Sequence, residues 1–134
     1  MAGVPPPEPN PDHETLRRWA RAVNARDVDE LVAYSDPEIV CYPLQLALSG
    51  HYEGHEGMRR WLEDVEASGL SHNVRFEGVR TLPDGRIALF GTLVLEENPI
   101  SPYSMIAEVR DGKVASMRSY LSDEDTLKHL KMIQ

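Results

Sequence analysis

The chain has 134 residues, enough for one domain with a single core and a modest cavity, and 41% of them are hydrophobic. Its 22 acidic and 14 basic residues give a formal net charge of -8, which offers no positive field to a nucleic acid backbone or an anionic membrane surface. Cys41 is the only cysteine, which excludes an intramolecular disulfide and a cysteine metal cluster and suits a reducing compartment.

Residues 1–11 carry five prolines and neither a basic leader nor an apolar run, so they read as an extended arm ahead of a single domain over 12–134. The longest apolar-rich run, Ile87 to Leu95, is less than half of what a membrane-spanning helix needs. The expectation is a soluble, cytoplasmic protein.

Leu16, Trp19, Ala20 and Val23 fall at helical spacing and predict an amphipathic helix over 12 to about 25, with Asp12 as its cap. Asp27 and Glu30 form a capping-box pattern ahead of Val28, Leu31 and Val32, a second short helix that Pro37 should end. Glu38 to Pro43 reads as a strand in which Cys41 is a buried, inert thiol. Met58, Trp61, Leu62 and Val65 predict a third helix over about 55 to 67, with Gly69 as its stop.

Strands should follow. Val74 and Phe76 alternate with polar neighbours, Leu82 to Gly85 is a turn, and Ile87 to Leu95, apolar on both faces, should be a central strand. Glu96 to Pro102 reads as a loop, and Asp111-Gly112 between Tyr103–Arg110 and Lys113–Leu121 is a two-residue hairpin turn. Ser122 should cap a final short helix reaching about Lys131. Helices first and then a run of strands is an α+β pattern.

That order resembles the nuclear transport factor 2-like superfamily, and more closely its SnoaL-like and ketosteroid isomerase-like members. The resemblance spans about Asp12 to Leu121. It is carried by Asn24-Ala25-Arg26-Asp27 after the first helix, by Gly50-His51-Tyr52-Glu53-Gly54-His55-Glu56-Gly57 before the third, and by Asp111 to Arg118 at the hairpin. The resemblance implies a cystatin-like cone of curved, mostly antiparallel or mixed sheet, closed by three helices from the first half of the chain over a pocket. It also implies dimerisation through the convex sheet face, so a homodimer is expected.

The isomerases of that superfamily use a strand aspartate as base, with a tyrosine and a protonated aspartate as oxyanion donors. The corresponding positions here fall on Tyr42, Trp19 and near Ile106, none of which can repeat that chemistry. The related epoxide hydrolases place two acids around an arginine, where this chain has Ile106 and Ser119. A regular hairpin about Asp111-Gly112 would set Ser104, Ile106, Glu108, Met117 and Ser119 on one face, which the resemblance to the isomerases implies is the cavity face.

The catalytic candidates are therefore Tyr42 as a hydrogen-bond donor and Glu108 or His51 as proton carrier. The expected ligand wall is Trp19, Val23, Val40, Trp61, Leu89, Leu93, Leu95, Ser104, Ile106, Met117 and Ser119. The favoured alternative for Glu108 is a solvated rim carboxylate paired with Arg110 or a lysine.

His51 and His55 sit four apart, but Gly54 interrupts the turn and the zincin order is absent, so no metal site is expected. No cofactor pattern is present either. His13, His72 and His129 read as surface residues. The expected partner is a small apolar or aromatic molecule. Three functions remain open: a cofactor-free isomerase, cyclase or dehydratase, a non-catalytic ligand-binding protein, and an interaction module whose cone is filled.

Overall fold

The computed structural model describes residues 10–43, 50–69, 71–131 and 133. The expected proline-rich arm lies outside them, apart from its last two residues. Those two start the first helix, α1 (Pro11–Ala25): Asn10 accepts a hydrogen bond from Asp12 N at 2.9 Å, and Pro11 occupies the first turn, where its missing N–H costs nothing. The cap is thus Asn10 rather than Asp12. Leu16, Trp19, Ala20 and Ala22 are buried from this helix.

The second helix, α2 (Val28–Ala33), is capped by Asp27, whose carboxylate accepts from Glu30 N at 3.2 Å. It stops at Tyr34, before Pro37, because Ser35 already opens the first strand, β1 (Ser35–Tyr42). Pro37 sits where β1 loses regular register with its neighbour, so its missing N–H breaks no ladder bond there. A short strand, β2 (Tyr52–Glu53), leads into α3 (Gly54–Ala67), which buries Met58, Trp61 and Leu62.

The remaining strands are β3 (His72–Thr81), β4 (Ile87–Leu95), β5 (Asn98–Arg110) and β6 (Lys113–Tyr120), followed by α4 (Glu124–His129). The segment expected as a loop is mostly strand. Glu96 and Glu97 alone turn the chain, both at positive φ (49° and 68°), and Pro99 and Pro102 lie in a part of β5 that has β4 beside it but no β6. The Asp111-Gly112 turn is as expected, with φ of 53° and 74°. The cap of α4 is Asp123, not Ser122; its carboxylate accepts from Thr126 N at 2.7 Å.

The six strands form one mixed sheet in the order β2-β1-β6-β5-β4-β3. Only the β1 and β6 pair is parallel. Strand β4 is interior, with neighbours on both sides, but β6 and β5 hold the middle. The sheet is curved and unclosed, which makes the fold the α+β cone expected from the sequence.

Helices α1 to α3 pack on one face around Leu16, Trp19, Leu31, Met58, Trp61, Leu89, Met105 and Met117. On the other face a smaller cluster joins Leu82, Ala88, Ile106, Leu127 and Ile133, so α4 covers part of the convex side. An Arg80 to Glu124 ion pair ties that helix to β3. Among the described residues no helix is long and apolar enough to cross a membrane.

Irregular pairing decides which side chains face the helices. Val109 pairs with Val114, but Glu108 pairs with Ser116 and Ala107 with Met117, which leaves Ala115 as an extra residue on β6. The bulge shifts every pair beyond it by one place relative to a regular hairpin. Tyr103, Met105 and Ala107 therefore share the helix-facing side with Met117, while Ser104, Ile106 and Glu108 share the convex side with Arg118 and Tyr120.

Candidate functional site

A cavity of about 50 Å³ lies between the helices and the concave face of the sheet. Its apolar wall comes from Val23 on α1, Trp61 and Val65 on α3, and Phe76, Leu93 and Met105 on the sheet. Trp61 is held by its neighbours, 5.8 Å from the Trp19 ring and 6.4 Å from Tyr52, whose hydroxyl donates to Asp64 at 2.6 Å. Phe76 meets the Tyr103 ring edge-on at 6.4 Å.

Two hydroxyls also line the cavity. Tyr103 and Ser119 share a short hydrogen bond across β5 and β6, and Ser119 Oγ lies 3.3 Å from Met117 Sδ. Burial pushes the Tyr103 phenol well above its ordinary value, with the Ser119 bond acting in the opposite direction, so Tyr103 stays protonated and serves as a hydrogen-bonding hydroxyl and not as a base.

The cavity opens beside the end of α1. Asn24, Arg26, Val65, His72 and Asn73 line both it and an adjoining groove of about 360 Å³, which Glu66, Gly69 and Ser71 complete. Asn24 behaves as a piece of strand, donating to Val74 O at 2.8 Å and accepting from Val74 N at 3.0 Å. Arg26, in the left-handed region at φ 58°, closes α1 by donating to Val23 O at 2.7 Å and to His72 O at 2.6 Å. These bonds pin the helix end to β3 and fix the groove's polar side. Burial lowers the Arg26 pKa, with Glu66 partly offsetting it.

Several expected site residues lie elsewhere. Tyr42 pairs with Arg118 in register, points to the convex side and is 37% exposed, because Ile39 and Cys41 take the inward positions of β1. Its ring stacks on exposed His51 at 5.1 Å and lies 4.1 Å from the Arg118 guanidinium. His51 contacts Glu53 at 3.3 Å, and His55 bonds Ser35 O at 2.8 Å. Glu108 is exposed on the convex face, whereas Ile106 is buried against α4 and Ser104 is buried on that same face, donating to Ser122 O. The bulge at Ala115 is the reason for all three displacements on β5.

Of the expected wall, Val23, Trp61, Leu93 and Ser119 line the cavity. Trp19 is fully buried behind Trp61, and Met117 is core beneath Ser119. Leu89 is core under a separate surface groove beside Arg17 and Arg21. Val40 lies with Tyr42 on the outward side, and Leu95 is half-buried at the end of β4.

Sequence reasoning missed Tyr103, Met105 and Phe76, and it placed His72 on the surface. A signal existed for the first two: Tyr103, Met105, Ala107 and Val109 make a more apolar stripe than Ser104, Ile106, Glu108 and Arg110. Val114 and Met117, both buried yet an odd number of residues apart, mark the bulge that aligns them. Among the described residues no cluster of three or more metal-ligating side chains is present.

The model of the SnoaL-like domain matches residues 16–117, and the chain belongs to that family. Among curated proteins none matches it. Of the solved structures it resembles, TerC crystallised with polyporic acid aligns with a TM-score of 0.71 at 18% identity, covering 91% of this chain and 97% of that one. An NTF2-like protein from Burkholderia pseudomallei gives 0.69 at 13% identity, covering 90% and 97%. A candidate polyketide cyclase from Xanthomonas campestris gives 0.68 at 15% identity, covering 84% and 90%. At such identities these likenesses establish the fold.

Proposed function

We propose that this protein binds a small, largely apolar ring compound, with the body of the ligand across the inner cavity and the groove that continues it. The observation that carries this reading is the lining: Trp61, Phe76, Leu93 and Met105 at the inner end, the Tyr103 and Ser119 hydroxyls beside them, and Arg26, His72 and Asn73 at the opening. An apolar wall with a few converging polar groups is what orients a small ligand, and because the inner cavity offers only about 50 Å³, most of the ligand would lie in the adjoining groove of about 360 Å³.

Titration with 1-naphthol, read by tryptophan emission and by Tm, tests the reading. Quenching and a raised Tm are expected for the native chain, and both should weaken in Val23→Phe, which fills the inner end. Unchanged emission and Tm in the native chain would sink it.

A catalytic version is favoured by His72, a residue that lines both cavity and opening and whose side-chain type is suited to moving protons near neutral pH. The reactions such a proton carrier could assist are cofactor-free isomerisations, cyclisations and dehydrations, with the Tyr103 and Ser119 hydroxyls further in as hydrogen-bonding groups. Loss of turnover in His72→Gln with ligand affinity retained would identify it; full turnover would remove it.

A further inference from the structure

Arg26 is buried further than it is paired. Its side chain is only 20% exposed, yet the carboxylate that faces it, Glu66, stands 3.9 Å from Nε on a side chain that is 70% exposed. A solvated partner at that distance compensates little of a charge taken out of water. The two carbonyls that Arg26 serves, Val23 O and His72 O, are neutral.

Those same two bonds make the guanidinium a fixed fork. Of its five N–H groups two are spent, and no hydrogen bond among the described residues takes the other three. Arg26 lines both the inner cavity and the groove that opens from it. A rigid, under-compensated guanidinium at the polar end of an apolar wall is complementary to a planar anion, which it can hold through parallel hydrogen bonds.

We infer that the ligand of this cavity is an amphipathic acid, a flat apolar body carrying one carboxylate that pairs with Arg26. The inference rests on the cavity being a ligand site. The chain's net charge of -8 opposes anion capture at long range, so the preference arises from Arg26 itself.

A matched pair of probes separates the two claims: 2-naphthoate and 2-naphthylmethanol share a ring and differ in charge. Both should quench tryptophan emission, with the acid binding at least about tenfold tighter, as expected for a hydrogen bond to a charged group. Arg26→Gln should reduce that ratio to near one, and Arg26→Lys should keep part of it. Because Arg26 also ties α1 to β3, Glu66→Gln supplies a variant that leaves those bonds intact, and it should raise the acid's affinity relative to the alcohol's. Binding of neither probe overturns the cavity reading and this one with it. Equal binding of acid and alcohol, or an acid preference that survives Arg26→Gln, overturns the acid and leaves the cavity.

Discussion

The Trp19 indole N–H donates to Ser35 Oγ at 2.9 Å, and Ser35 in turn donates to Leu31 O at 2.6 Å, all inside the core. Three elements, α1, α2 and β1, are joined by one hydroxyl that is fully buried. Ser35→Ala removes that hydroxyl and leaves a buried indole N–H without a partner. It should destabilise the fold by about 1–3 kcal/mol in denaturant titration. In a double-mutant cycle Ser35→Ala should cost less when Trp19 is already Phe, because no N–H is then orphaned.

At Gly91 on β4 an added Cβ would stand 2.0 Å from Arg75 O on β3. A backbone oxygen cannot swing aside as a flexible side chain can. Gly91→Ala should cost about 1–3 kcal/mol or more, since the strands must separate. Gly78→Ala, with nothing within 4 Å of the added carbon, should change stability little in the same assay.

Burial pushes the Cys41 thiol well above its ordinary value of 9.0 and the Tyr103 phenol above 10.0. Both groups lose protons more readily in the unfolded chain, so their contribution is complete below about pH 9 and is lost as pH rises through the folded values. Thermal melts should show Tm falling above about pH 9, with a smaller fall in Cys41→Ala compared with its own neutral-pH value. At neutral pH a thiol-reactive reagent should modify Cys41 only at the rate of unfolding.

Partial burial, reinforced by Arg17 and opposed by Asp12, lowers the His13 pKa below 6.5. Its ring contacts Thr81 Oγ1 at 2.8 Å, linking α1 to the end of β3. The unfolded chain therefore takes up this proton first on acidification. Stability tied to neutral His13 should be complete above pH 6.5 and decline as pH falls through the folded value. Chemical-shift titration of the His13 ring should give a midpoint below 6.5, and a midpoint at or above it would contradict this packing.

Elements that rest on local rules were legible in the sequence. Leu16, Trp19 and Ala20 mark the buried face of α1, Asp27 caps α2, and Asp111-Gly112 turns the hairpin, each because its physics is decided within a few residues. The family resemblance supplied the cone. Facing on β5 was legible only in its more apolar Tyr103 to Val109 stripe, because the extra residue at Ala115 on β6 breaks the regular pairing that would set Ile106 beside Met117. Tyr42 was misplaced through its position before Pro43, although the alternation of Ile39 and Cys41 with Val40 and Tyr42 pointed the other way. His72 carried no signal of its own, since its place at the opening depends on Arg26 reaching its carbonyl from 46 positions away.

The extra residues at Glu77 on β3 and Ala115 on β6 do more than set register. A bulge bends and twists its strand, so part of the sheet's curvature, and with it the room beneath α1 and α3, is written as chain length and not as side-chain chemistry. Removing Ala115 would keep Val114 and Met117 on their present face while straightening β6. The capacity of this cavity can therefore be changed by losing a single codon, with no exchange of any residue that lines it.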